Sequence, residues 1–316
     1  MNDPQYAYHR PVMLDEVLED LNIRPDGIYL DGTAGGAGHS REIAKRLTAG
    51  GHLFAMDQDP DAVREATEKL KGLPATVIHA NFTELKNVLT EHGTGADGIL
   101  LDLGVSSHEL DEGARGFSYH QDAPLDMRMS QAGRTAADLV NTLPADAIAD
   151  ILFRYGEEKY ARSIAAKIAE ARAVKPIETT LELAELIKQG VPAKARRDKN
   201  PCKKSFQAIR IAVNDEINCL EIALRDAFEM LKPGGRLVIL TFHSLEDRMV
   251  KQAFAERCKG CTCPPEFPVC VCGHKAEGFL PHRKPVTASA AELEQNPRSH
   301  SAKLRCIEKA GESGGQ

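Results

Sequence analysis

No apolar run in this 316-residue chain approaches the roughly 18 residues that would cross a bilayer, so an ordinary membrane-spanning helix is not expected. The opening Met-Asn-Asp-Pro-Gln-Tyr has neither a basic leader nor an apolar stretch, so no secretory signal is expected and the expected location is cytoplasmic. Positive charge is not in excess either. Forty Lys and Arg against 46 Asp and Glu leave a formal net charge of -6. That balance argues against a generally basic nucleic-acid coat, while a whole-chain sum still leaves room for a local basic patch. Without a secretory signal the eight cysteines do not read as a disulfide framework. Internal repeats are missing too. What remains, 42% hydrophobic and 27% charged residues, is the make-up of a soluble globular protein. The length suffices for one large domain or two smaller ones.

The first third alternates strand-like and helix-like stretches. Short apolar runs at 28–30, 53–56, 76–79 and 98–103 are separated by helical spacing at 41–47, 61–70 and 84–89. Continuous apolar strands between helices predict a parallel sheet covered on both faces. From about 110 to 214 strand-like runs almost vanish. Apolar residues recur at helical spacing over 146–155, 158–172 and 181–188, and Phe206, Ile209, Val213 and Ile217 begin a helix that runs toward Leu231. The α/β pattern then returns: Leu231-Lys-Pro-Gly-Gly reads as a helix stop and turn, 236–242 as a strand and 302–308 as a last strand. The fold class expected is α/β, a doubly wound Rossmann-like domain built from 1–110 and 214–316, interrupted by a helical domain at 111–213. The tail 311–316 is expected to be disordered.

The segment richest in information is Ile28-Tyr-Leu-Asp-Gly-Thr-Ala-Gly-Gly-Ala-Gly-His-Ser40, a strand, a carboxylate, a glycine-rich turn and a helix start. Dense glycines let backbone N–H groups close on a ligand in front of a helix N-terminus. Gly32, Gly35, Gly36 and Gly38 do not meet the dinucleotide spacing cleanly. With Asp31 ahead of them they suit an S-adenosylmethionine loop at least as well. Asp57, ending the second strand, can accept both ribose hydroxyls, a role common to both cofactor types. A nicotinamide-dependent oxidoreductase is therefore the rival enzyme class. Phe82, after the third strand, either packs on an adenine ring or belongs to the core. Asp102 ends the fourth strand, where open α/β sheets bind their ligands, and a carboxylate there must find a partner or meet solvent. His243 and Ser244, after the fifth strand, either face the same crevice or, in the case of Ser244, cap the next helix.

Six basic residues lie between 194 and 204, namely Lys194, Arg196, Arg197, Lys199, Lys203 and Lys204, opposed only by Asp198. Such a run is either a solvated face or, in an acidic chain, a strip for phosphates. Phe117 and Tyr119, in a loop at the start of the insertion, either stack a base or pack in a core. The segment from Cys258 to His274 crowds five cysteines, and Cys258, Cys261, Cys270 and Cys272 offer two close pairs for a tetrahedral structural zinc. The alternative is free thiols in a loop.

Taken with His9-Arg-Pro-Val-Met-Leu-Asp-Glu16, Asp57-Gln-Asp-Pro60, Leu100-Leu-Asp-Leu-Gly-Val-Ser-Ser107, Arg115-Gly-Phe-Ser118 and Pro124-Leu-Asp-Met-Arg-Met129, the glycine turn resembles one known family. Tyr155-Gly-Glu-Glu158, Phe206-Gln-Ala-Ile-Arg210, Thr241-Phe-His-Ser-Leu-Glu-Asp-Arg248 and Asn296-Pro-Arg298 continue the match in order, over about residues 9 to 307. The family is that of the 16S ribosomal RNA small subunit methyltransferase H proteins, also called MraW. The resemblance implies a class I methyltransferase that uses S-adenosylmethionine to N4-methylate a cytidine in the decoding region of 16S rRNA, with the small ribosomal subunit as partner. It implies cofactor contacts at Gly36, Ala37, Gly38, His39, Asp57, Phe82 and Asp102. Glu109 falls where many members carry glutamine, and a carboxylate there can still accept hydrogen bonds. Asp102, His243 and Ser244 are the candidate catalytic residues. Arg196, Arg197, Lys203 and Lys204 are the candidate RNA contacts. The cysteine-rich segment occurs in only part of the family, so a metal there is not expected to be catalytic.

Overall fold

The computed structural model describes residues 11–48, 50–106, 109–110, 112–198, 200–261, 263–264, 267, 269 and 271–311, without the side chains of 197 and 198. Cys270 and the side chain of Arg197 therefore lie outside the described residues, as does the tail at 312–316. The chain divides into two compact units: one runs to Gly104 and resumes at Cys219, and the other is Val105–Asn218.

The first unit is built on one sheet. After α1 (Leu14–Leu21) come β1 (Ile28–Asp31), α2 (Gly38–Ala44), β2 (His52–Asp57), α3 (Pro60–Lys69), β3 (Ala75–His79), α4 (Leu85–Glu91) and β4 (Ala96–Asp102). The five parallel strands stand in the order β3-β2-β1-β4-β5, where β5 is Leu231–Thr241. β8 (Lys303–Lys309) then adds antiparallel to β5 and carries the two-residue strands β6 (Gly278–Phe279) and β7 (Val286–Thr287) on its outer side. Separate apolar clusters cover the sheet's two faces, one around Leu101, Ile239 and Phe228, the other around Leu100, Val238 and Tyr29. β4 is the inner strand on which both layers close: Ala96 to Leu101 are all buried, and only Asp102 at the end reaches the surface. Burial on two sides explains why these strands read as unbroken apolar runs and not as alternating ones.

The second unit is helical among its described residues. It holds α5 (Ala136–Thr142), α6 (Ala145–Gly156), α7 (Ala161–Arg172), α8 (Thr180–Gly190), α9 (Ala193–Asp198) and α10 (Cys202–Asn214). Thr135 with Asp138 and Thr179 with Glu182 form capping boxes that satisfy the first N–H groups of α5 and α8. Leu139, Ile148, Leu152, Ile164, Leu183 and Phe206 meet in its core. At the crossing of α7 and α8, Gly190 leaves no room for a side chain, since a Cβ there would stand 2.7 Å from the Ile164 Cα.

Two expectations need correction. The helix read as running from Phe206 toward Leu231 is two helices, α10 and α11 (Glu216–Met230), separated at Asp215, which sits at φ 50°. Apolar spacing continues through the junction, but Asn214 has pulled the chain out of register. Its side chain donates to Met127 O and Arg210 O at 2.8 and 2.9 Å and accepts from Met129 N at 2.8 Å. Arg210 then holds Glu216 with two bonds of 2.7 and 2.8 Å across the break. The other correction concerns Lys-Pro-Gly-Gly, which does not precede β5 but lies inside it. Ala96 pairs with Leu231 and Gly98 with Arg236, so the turn becomes a bulge within the ladder.

Candidate functional site

In an open parallel sheet the crevice lies at the carboxyl ends of the strands where their order reverses. Here β1 has β2 on one side and β4 on the other, and the three strands end in Asp31, Asp57 and Asp102. The turn after β1 is drawn into this edge by its own backbone. Ala34 N donates to Met56 O at 2.8 Å, and Gly35 N donates to the Asp57 carboxylate at 2.7 Å. Gly35 sits at φ 48° and Ala37 at φ 57°, the second an uncommon conformation for a residue with a Cβ. The turn feeds α2, whose first residue is Gly38.

The carboxylates differ in what surrounds them. Asp31 is buried, accepting from Ser40 Oγ at 2.6 Å and from Thr33 N at 3.1 Å; burial, then the charge of Asp57, pushes its carboxyl up to about 6. Asp57 is likewise raised by burial, while accepting from Gly35 N and Asp59 N. Asp102 is the extreme case. Its side chain is 25% exposed, but Oδ1 is sealed and has no hydrogen-bond partner among the described residues. Burial, then the charges of Asp31 and Glu246, pushes it up to about 8. Thr33 Oγ1 accepts from Asp102 N at 2.6 Å and fixes the strand end against the turn.

His39 stands over Asp102, with Nδ1 3.6 Å from Oδ2. This is not an ion pair. Nε2 lies 3.0 Å from Val12 O, and a carbonyl can only accept, so Nε2 carries the proton and Nδ1 presents a lone pair. Burial lowers the imidazole to about 4, which keeps it neutral at physiological pH. Phe82 is half-buried, opens a short 3₁₀ turn and leans on the sheet's core.

After β5, His243 is the residue that caps α12 (Ser244–Arg257); Ser244 is the helix's exposed first residue, so it does not take the cap. His243 Nδ1 accepts from Glu246 N at 3.4 Å, and buried Glu246 answers by accepting from Phe242 N and His243 N. His243 Nε2 lies 3.0 Å from Glu246 Oε1, off the hydrogen-bonding line. The ring is thus turned toward the helix start. Sequence reading passed over Thr33, Ser40 and Glu246. The Asp31-Gly-Thr33 spacing and the His243–Glu246 spacing of three were the signals for the first and last.

Glu109 belongs to the helical unit, buried, with Oε2 accepting from Ser106 N at 2.7 Å and Oε1 3.8 Å from Arg115. In the same unit Lys194, Arg196, Lys203 and Lys204 are exposed, and Lys204 donates to Glu157 O at 2.9 Å. Phe117 is buried in that unit's core, and Tyr119 meets Phe206 edge-on at 5.3 Å between ring centres. Of the cysteines, Cys261, Cys263 and Cys272 bring their sulfurs within 4.8 Å of one another, and Cys258, at the end of α12, is not in that group.

A 3-2-1-4-5 parallel sheet, a glycine turn leaving β1 and acids on the ends of β1, β2 and β4 define a Rossmann-like class I methyltransferase domain, here carrying a helical insertion. The model of the MraW methylase family matches residues 6–310, and the chain belongs to that family. It is 53% identical over 307 residues to ribosomal RNA small subunit methyltransferase H of Brevibacillus brevis, covering 96% of this chain and 98% of that one. The protein of the same name from Symbiobacterium thermophilum is 52% identical over 312 residues, with the same shares covered. Among solved structures, an rRNA methylase from Streptococcus thermophilus aligns over 94% of this chain and 93% of its own, at 11% identity and a TM-score of 0.41, too loose a likeness to bear on the site.

Proposed function

We propose that this chain transfers a methyl group from S-adenosylmethionine to the exocyclic N4 of a specific cytidine in the decoding region of 16S rRNA, acting on the small ribosomal subunit. The observation that carries this reading is the near end-to-end kinship with relatives named ribosomal RNA small subunit methyltransferase H, at 50% identity or more. Chemistry at the crevice favours the same cofactor. Asp57 raises Asp31 and Asp31 raises Asp102, whose Oδ1 is sealed and unpartnered among the described residues, an arrangement that a cation relieves. Bound there, S-adenosylmethionine supplies an electrophilic methyl on a positively charged sulfur.

The residues then divide the work. Gly36, Ala37, Gly38 and His39 hold the cofactor across the turn and the start of α2, Asp57 accepts from its ribose, and Phe82 lies against its adenine. Asp102 orients it and, as a carboxylate, accepts a hydrogen bond from the cytosine amine, whose lone pair is otherwise delocalised into the ring. His39 stays neutral and keeps its Nδ1 lone pair toward Asp102, so it adds no competing positive charge. His243 fixes the start of α12, and Ser244 offers its hydroxyl at the same strand end. The cytidine leaves its stack to reach the acid, while Arg196, Arg197, Lys203 and Lys204 neutralise RNA phosphates. A general base is worth about 10²–10⁴-fold, so Asp102→Ala lowers turnover at saturating cofactor by about that factor. A change confined to cofactor affinity assigns Asp102 to binding alone. Incubation with methyl-labelled S-adenosylmethionine and unmodified small subunits tests the whole reading. Label enters the RNA if it holds; binding without transfer would mark an assembly factor, and binding of NAD in place of S-adenosylmethionine an oxidoreductase.

A further inference from the structure

The stretch between Arg257 and Glu277 is a loop closed at its base, and no residue described within it is fully buried. Its base is tied by Glu277 N donating to Arg257 O at 2.8 Å and by the ion pair between the two side chains. Its apolar side chains point outward: Phe267, Val269 and Val271 are 51%, 69% and 72% exposed. Apolar side chains this exposed give a loop little hydrophobic reason to hold one shape, and small segments without a core are held by cross-links or metals. Three thiols take the core's place. Cys272 Sγ lies 3.7 Å from Cys261 Sγ, and Cys263 Sγ completes a triangle whose sides are all within 4.8 Å. Each sulfur also receives a backbone N–H: Cys263 N points to Cys261 Sγ at 3.4 Å, Val271 N to Cys263 Sγ at 3.3 Å and His274 N to Cys272 Sγ at 3.4 Å. N–H groups aimed at sulfur stabilise thiolate charge, the form that binds metal.

From this geometry we propose that Cys261, Cys263 and Cys272 bind a zinc ion that holds the loop in one shape. Thiolates at this spacing suit a tetrahedral borderline-soft cation and not an oxygen-seeking one such as magnesium. The ion is structural. The loop leaves the far end of α12, a 14-residue helix about 20 Å long, whose other end carries His243 beside the crevice. Of the four cysteines the sequence offered, Cys261 and Cys272 belong to this group, Cys270 lies outside the described residues, and Cys258 is half-buried at the helix end with its thiol raised by burial.

Full-length protein purified under reducing conditions and dialysed against a weak chelator carries about one zinc per chain by elemental analysis. Cobalt exchanged into the site gives the intense near-ultraviolet absorption of sulfur-to-cobalt charge transfer. Cys261→Ser, Cys263→Ser and Cys272→Ser each lose the zinc and open residues 258–277 to limited proteolysis. Cys258→Ser and Cys219→Ser retain it. A zinc-free wild-type protein with all its thiols titratable would overturn the proposal. So would a Cys261–Cys272 disulfide in peptide mass spectra, or zinc retained by all three serine variants. Methyl transfer is not part of the readout, so the site stands or falls apart from the catalytic reading.

Discussion

Asp102 concentrates the physical tension of the molecule in one carboxyl group. A largely enclosed acid whose folded pKa lies near 8, against 3.8 in an open chain, favours the fold only while it is protonated. Between those two values the folded protein holds more protons than the unfolded chain, so stability falls as pH rises through that window. Asp31, raised to about 6, adds to the loss over the lower part of it. Asp102→Asn, which cannot ionise, should therefore melt several degrees above the parent near pH 9, with the gap closing toward pH 4. Thermal scans across pH measure this, and a gap that does not depend on pH contradicts the assignment. A cation arriving beside the group reverses the balance and drives the proton off. Calorimetric titration of S-adenosylmethionine near neutral pH, in buffers of different ionisation enthalpy, should show net proton release that Asp102→Asn abolishes. Equal heats in all buffers would mean that Asp102 keeps one protonation state through binding, against this assignment.

At the scale of elements, helices and strands owe their limits to residues far away in sequence. Asn214 makes three hydrogen bonds that end α10, two of them to Met127 and Met129, more than 80 residues earlier. Asn214→Ala leaves Met129 N and Met127 O without these partners and should cost about 1–3 kcal/mol in denaturant unfolding. A loss within about 0.5 kcal/mol, the size of an ordinary surface change, would show that the break does not depend on it. The strands were legible in the sequence because burial on both sheet faces leaves an unbroken apolar run, as in Gly98-Ile-Leu-Leu. The break at Asp215 was not legible, because the apolar spacing of α10 and α11 continues across it and its cause lies in a loop at 127–129. The same holds for the site. Asp31, Asp57 and Asp102 stand out as carboxylates at the ends of apolar runs. The bond from Asp102 N to Thr33 Oγ1 spans 69 residues and leaves no local trace. At Thr241-Phe-His-Ser the local pattern offered Ser244 as the cap, since serine is the commoner capping residue. Glu246 selects His243 by reaching back to its backbone N–H.

For the molecule as a whole, an acidic chain must still hold an anionic partner. The expected reconciliation is a division of labour: the α/β unit, with its three acids, takes a cation, and the exposed basic residues of the helical unit take phosphates. Reversing Arg196, Lys203 and Lys204 to glutamate should weaken binding to small-subunit RNA and flatten its dependence on salt, by about 0.7 in log–log slope for each lost single-strand phosphate contact. Affinity for S-adenosylmethionine should not change. RNA affinity and salt slope equal to the parent's would move the RNA surface elsewhere. No helix among the described residues is long and apolar enough to cross a membrane. Mass spectrometry of the RNA, after unmodified small subunits react with this protein and S-adenosylmethionine, shows whether a methyl reaches one base amine. One added methyl is expected, on N4 of a single cytidine in the decoding region of 16S rRNA. A methyl found on ribose, on carbon or on a different base, or no methyl at all, would contradict it.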